Sequence, residues 1–168
     1  PLLEEALARG LKLPTLYNLG RAHSPADPSS RFYLAKAITA AQQAGSYFGQ
    51  GFELQPDNRY LDNASREYLR AYLMAMQSVG NERESLDIPQ LRQQAIKWLE
   101  LGMAADDGTA WTNYGAILLN ENDYSGAKAA FLQGAKRQVA IANYHLGSME
   151  ERGLDAEADK VRALAYYE

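Results

Sequence analysis

Ala110-Trp-Thr-Asn-Tyr-Gly115 returns as Ala142-Asn-Tyr-His-Leu-Gly147, and Thr15-Leu-Tyr-Asn-Leu-Gly20 echoes both. The segment after each of the first two also recurs. Asp123-Tyr-Ser-Gly-Ala127-Lys-Ala-Ala-Phe131 matches Asp159-Lys-Val-Arg-Ala163-Leu-Ala-Tyr-Tyr167, and Arg92-Gln-Gln-Ala95-Ile-Lys-Trp98 is a third copy. Upstream, Gly10, Gly45 and Gly80 stand thirty-five residues apart, and each reads as the close of an alanine-rich helical run. A period in the thirties marks stacked helical units, none of which can bury its own apolar face alone.

The pattern inside the units is helical throughout. Phe32, Ala35, Ala37, Ile38 and Ala41 form one apolar stripe, and Leu91, Ala95, Trp98 and Leu99 another, both at three-and-four spacing. No stretch alternates apolar and polar residues with β-branched enrichment, so the chain reads as all-α. Loops are expected at residues 23–30, with Ser29 or Ser30 as a cap, and at Gln55-Pro56-Asp57-Asn58. Asp87-Ile88-Pro89 looks like a helix start, while Asp107-Gly108-Thr109 and Asn120-Glu121-Asn122-Asp123 are stops followed by caps. Helices of about 10–17 residues are expected between these breaks.

Composition excludes several classes of function. A net charge of −4 and a pI near 5.3, with no run of Lys or Arg, give no electrostatic reason to expect nucleic acid. The longest apolar stretches, such as Ala116 to Leu119, fall far short of the roughly 20 residues that span a bilayer. The absence of cysteine removes disulfides, thiolate metal sites and cysteine nucleophiles together. At 168 residues one domain is the default. The chain starts at Pro1, so a leader or lipid anchor would lie upstream.

The order of residues resembles the Sel1-like repeat, a branch of the tetratricopeptide superfamily. Ala, then an aromatic or Leu before Gly, a short loop with Asp, Ala-x-x-aromatic, and Ala before Gly is the pattern that carries it. One unit runs from Ala110 through Asp123, Ala127 and Phe131 to Ala135, and a second from Ala142 through Gly147, Gly153, Asp159 and Ala163 to Tyr167. The helix from Ala95 to Gly108 fits a third. The resemblance implies a right-handed α/α superhelical solenoid of helical hairpins, forming a single repeat domain over 1–168. It is degenerate over 1–86 and better matched over 87–168, with the array expected to continue past Glu168. Tyr47 to Asn63 departs from the pattern, because Gly49-Gln50-Gly51 interrupts it, and a kinked turn is expected there.

What the resemblance implies about function is a non-catalytic scaffold or adaptor that holds a peptide or protein in a concave groove. It further suggests a bacterial complex, at the periplasm or cell envelope. Helical spacing puts Thr112, Ala116 and Asn120 on the inner face of one unit, Tyr144, Ser148 and Glu151 or Arg152 in the next, and Tyr17 and Arg21 in the first. Tetratricopeptide domains that grip a terminal carboxylate use Lys and Arg at positions occupied here by Tyr17, Thr112 and Tyr144, so that activity is not expected. The alternative is a small helical ligand-binding domain or enzyme with its site near the irregular 47–63 segment.

Other constellations are weak. His23 with Asp27 sits in a proline loop, and His145 has no carboxylate or second imidazole one helical turn away, so neither a metal nor a cofactor is expected. Ser125-Gly-Ala-Lys128 fits Ser-x-x-Lys but lacks its companion motifs and lies in a repeat helix. Glycines 45, 49 and 51 follow a helix rather than a strand, which disqualifies them as a phosphate cradle. Acidic groups such as Asp106-Asp107 and Glu150-Glu151 are expected to mark helix ends, with nothing predicting their burial. Asn63-Ala64-Ser65 fits a glycosylation sequon, a pattern common by chance.

Overall fold

The structure, a computed structural model, describes residues 34–168. Gly10, Tyr17, Arg21, His23, Asp27 and the Ser29 or Ser30 cap lie outside the described residues. Along the described chain run α1 (Leu34–Leu54), α2 (Asn58–Gln77), α3 (Asn81–Glu84), α4 (Ile88–Ala104), α5 (Gly108–Asn120), α6 (Tyr124–Lys136), α7 (Ala140–Arg152) and α8 (Lys160–Tyr167). Every element among the described residues is helical, so the described part of the chain is all-α.

Side-chain caps set the helix starts. Asp57, Asp107, Asp123 and Asp159 are the N-caps of α2, α5, α6 and α8, each carboxylate accepting from backbone N–H groups of the first turn. Asp87 does the same for α4, accepting from the Gln90 N–H at 3.0 Å, with Pro89 in the first turn where its missing N–H costs nothing. The expected breaks at 55–58, 87–89, 107–109 and 120–123 each fall at a helix boundary.

The chain divides into two compact units, one ending at Trp98 and the other running from Leu99 to Glu168. In the first, α1 and α2 are 21 and 20 residues long, longer than the sequence reading allows. Gly45 does not end its helix. It lies in the interior of α1, as do Gly49 and Gly51, and the helix runs on through the turn expected at these glycines. The reason is steric. A Cβ on Gly45 would come 2.8 Å from the Tyr68 ring, one on Gly49 2.5 Å from the Trp98 ring, and one on Gly51 would strike Tyr60. Each glycine costs α1 roughly 1 kcal/mol of helix propensity, and each admits an aromatic ring directly onto the helix backbone. Trp98 stacks parallel to Tyr68 at 6.3 Å and meets Phe52 edge-on at 5.9 Å. The Ser65 hydroxyl lies 2.8 Å from the Leu61 carbonyl and 3.2 Å from that of Trp98.

In the second unit α5 packs on α6, α6 on α7 and α7 on α8. The core gathers Leu118, Phe131, Leu146 and Met149 with Ala127 and Ala130. Gly115 meets Phe131 as Gly45 meets Tyr68, and a Cβ there would lie 2.7 Å from the ring. Gly147 meets Tyr167 in the same way. In each hairpin a buried alanine, Ala64, Ala127 or Ala163, precedes the ring by one helical turn. One contact thus recurs in three hairpins, α1/α2, α5/α6 and α7/α8. It joins the two sequence repeats and includes the N-terminal hairpin that the residue pattern marks as irregular.

Candidate functional site

Of the residues placed on the inner face by spacing, Tyr17 and Arg21 lie outside the described residues. Thr112 is corrected. It is 3% exposed, and its hydroxyl donates to the Gly108 carbonyl at 2.8 Å. Gly134 of α6 causes this, since lacking a side chain it lets α6 close directly over Thr112. Thr112 therefore presents nothing to a partner. Asn120 at the end of α5 is exposed, and Ala116 half-buried.

The α7 residues remain accessible. Tyr144 is 57% exposed, Ser148 half-buried, and Glu151 and Arg152 exposed. Tyr144 lies between two rings, its centroid 5.9 Å from that of His145 and 5.9 Å from that of Tyr167. The Tyr167 hydroxyl donates to the Glu151 carboxylate at 3.2 Å. The α7 strip thus offers an aromatic face, a hydroxyl, a carboxylate and a guanidinium within two helical turns. Such a strip can stack on an apolar side chain while its polar groups meet a peptide backbone. Tyr167, which frames the strip, escapes the spacing argument because it belongs to the next helix.

His145 is half-buried on the neighbouring side of α7, its ring stacked on Phe131 at 4.6 Å and 15°. Burial lowers its pKa from the ordinary value of 6.5, so the folded chain favours the neutral ring. Below pH 6.5 the unfolded chain binds the proton more readily, and stability falls with it. Urea unfolding at about pH 7.5 and about pH 5.5 should show this loss, and His145→Gln should make the slope shallower than in the parent chain.

Two motifs from the sequence are occupied structurally. Lys128 of the Ser-x-x-Lys stretch pairs with Glu150 at 3.0 Å, and the hydrogen bond to that carboxylate raises the Lys128 pKa. A lysine held this firmly in its charged form does not deprotonate a serine near neutral pH. Glu150 itself is 4% exposed, so the expectation that the 150–151 acids merely mark a helix end is corrected for it. In the sequon, the Asn63 side-chain amide donates to the Arg59 carbonyl at 2.6 Å within α2, and Ser65 is buried. Among the described residues no three His, Asp or Glu side chains converge on a possible metal, and no helix is long and apolar enough to cross a membrane. Around 47–63, the space opened by the α1 glycines is filled by Tyr60, Tyr68 and Trp98.

Compared with known proteins, the chain matches no protein-family model, no curated protein and no solved structure.

Proposed function

We propose that this chain is a Sel1-like repeat protein, a right-handed superhelical stack of helical hairpins that acts as a non-catalytic interaction module. The observation that carries the reading is the recurring glycine-on-aromatic contact at Gly45–Tyr68, Gly115–Phe131 and Gly147–Tyr167. A unit reiterated with the same internal joint is a stacking unit, and arrays of such units serve as extended binding surfaces. The working face is then the exposed strip of Tyr144, Ser148 and Arg152 on α7, with Asn120 on α5. Its occupant is a peptide or protein segment bearing an apolar side chain for the Tyr144 ring.

A random-peptide phage library panned on the immobilised chain tests this directly. Enriched peptides are expected to lose roughly tenfold or more in affinity on Tyr144→Ala, an aromatic anchor being worth on the order of 1.4 kcal/mol or above. Asn120→Ala should cost less. Peptides bound equally by both variants, or no enrichment at all, would remove the groove.

A further inference from the structure

Asp107-Gly108 is the one place in the 168 residues where glycine follows an aspartate or an asparagine. That pairing carries its own chemistry. Glycine has no Cβ to obstruct an approach to its nitrogen, and the backbone around it rotates freely. In an unwound chain the Gly108 nitrogen can therefore attack Cγ of the protonated Asp107 carboxyl. The N–Cγ bond forms, the Cγ–O bond to the hydroxyl breaks, and that hydroxyl leaves with the N–H proton as water. The product is a five-membered succinimide ring, which water reopens at either carbonyl. Opening at Cγ restores aspartate. Opening at the main-chain carbonyl gives isoaspartate, in which the chain runs through Cβ and Cγ and is one carbon longer.

The folded chain holds the pair where this ring cannot close. Closure needs the Asp107 Cβ eclipsed with the Gly108 nitrogen, which demands a negative ψ, whereas Asp107 has φ −78° and ψ 115°. Hydrogen bonds on every side keep it there. The Asp107 carboxylate accepts from the N–H groups of Thr109 at 2.8 Å and Ala110 at 3.2 Å. Its carbonyl accepts from the Trp111 N–H at 3.3 Å, and its own N–H donates to the Gly102 carbonyl at 3.0 Å. Turning ψ to the reactive value would break the first turn of α5 and swing Gly108 out of its seat. Gly108 is buried, and a Cβ on it would lie 2.7 Å from side-chain carbons of both Arg137 and Val139. Arg137 also fixes the preceding residue, its Nε donating to the Asp106 carboxylate at 2.7 Å.

We propose that Asp107 is an isoaspartate-forming site gated by the α4–α5 corner, inert while the first turn of α5 is wound and reactive when the corner opens. The change does not undo itself on refolding. An isoaspartate sets its free carboxylate directly on Cα, one carbon short of the capping position, and its longer backbone does not fit the seat of Gly108. Opening of the corner is thus recorded covalently. The site lies apart from the α7 strip and stands independently of the function proposed for that strip.

Ageing the chain at mildly acidic pH, folded or in about 8 M urea, tests this by peptide mapping with electron-transfer fragmentation, which tells the two backbones apart at equal mass. Isoaspartate at 107 should accumulate roughly tenfold or more faster in urea than in the folded chain. Gly108→Ala, compared in urea where folding plays no part, should lose most of that signal. Arg137→Ala, shown by circular dichroism to stay folded, should speed the reaction without urea, because it frees Asp106 and uncovers Gly108. After removal of urea, chains carrying isoaspartate should melt about 4 °C or more below unaged chains taken through the same urea step. Equal accumulation with and without urea, isoaspartate mainly at another aspartate, no gain on Arg137→Ala, or an unchanged melt would each overturn the proposal.

Discussion

Gly115→Leu is expected to lower the melting temperature by about 4–8 °C, and the size follows from two opposed terms. Replacing a helix-interior glycine with leucine favours the helix by up to about 1 kcal/mol. Against this, the Cβ alone would lie 2.7 Å from two carbons of the Phe131 ring. Phe131 has no exposed surface, and His145 is stacked on it at 4.6 Å, so the ring has no room to retreat. Overpacking of this kind costs about 1–3 kcal/mol, and the rest of the leucine side chain pushes it to the upper end. The clash wins by about 2 kcal/mol, which at this chain length is the shift stated. Phe131→Ala should cost more, about 3–5 kcal/mol, through the cavity it leaves. The double variant should then be less destabilised than the sum of the two, because leucine at 115 occupies the space the ring vacated. Thermal melts of the three proteins measure this, and an unchanged value for Gly115→Leu would mean that α5 and α6 do not meet there. The equivalent change at Gly147 should be milder, since Tyr167 is partly exposed and its ring can swing aside.

That difference between two copies of one motif also shows how far the sequence can be read. The helical period and the Asp caps are local properties, carried by residues within a turn of one another, and so the all-α class and most breaks are legible directly. Gly45 is not legible in the same way. A glycine after an alanine run looks like a helix end. Only the arrival of Tyr68 from α2 shows that the glycine is needed inside the helix. The irregularity read into 47–63 has the same origin, because Gly49 and Gly51 are seats for the rings of Trp98 and Tyr60, which arrive from other helices. Thr112 fails for a complementary reason. Its place on the face of α5 follows from spacing, but its burial depends on Gly134 of another helix having no side chain. By contrast Tyr144 and Arg152 are exposed where spacing puts them. Glu150 is invisible to local reading, because the partners that permit its burial are Lys128, one helix earlier, and Arg162, one helix later.

Lys128→Met should be among the most damaging single changes away from the aromatic contacts, costing roughly 3 kcal/mol. Glu150 is 4% exposed and leans on two cations, Lys128 at 3.0 Å from α6 and Arg162 at 3.4 Å from α8. Asp155 in the α7–α8 loop also reaches Lys128, at 3.5 Å. Removing the lysine leaves a buried carboxylate with a half-exposed guanidinium that Asp159 also holds at 2.8 Å. A buried charge stripped of its main partner typically costs about 3–5 kcal/mol, and the remaining arginine places the expected value at the lower end. Lys128→Met combined with Glu150→Met should recover most of the loss, because a matched apolar pair removes the desolvation cost along with the attraction. Urea unfolding separates the cases: a double variant no more stable than the single would mean that the carboxylate is not the source of the damage. The same pair predicts an alkaline limit. The Lys128 pKa is raised in the folded chain, chiefly by its hydrogen bond to Glu150. Its contribution is therefore complete below the unfolded value of 10.5 and is lost as pH rises above it through the folded value. As pH rises above 10.5 the parent chain should lose more stability than the double variant, which has no such proton to give up.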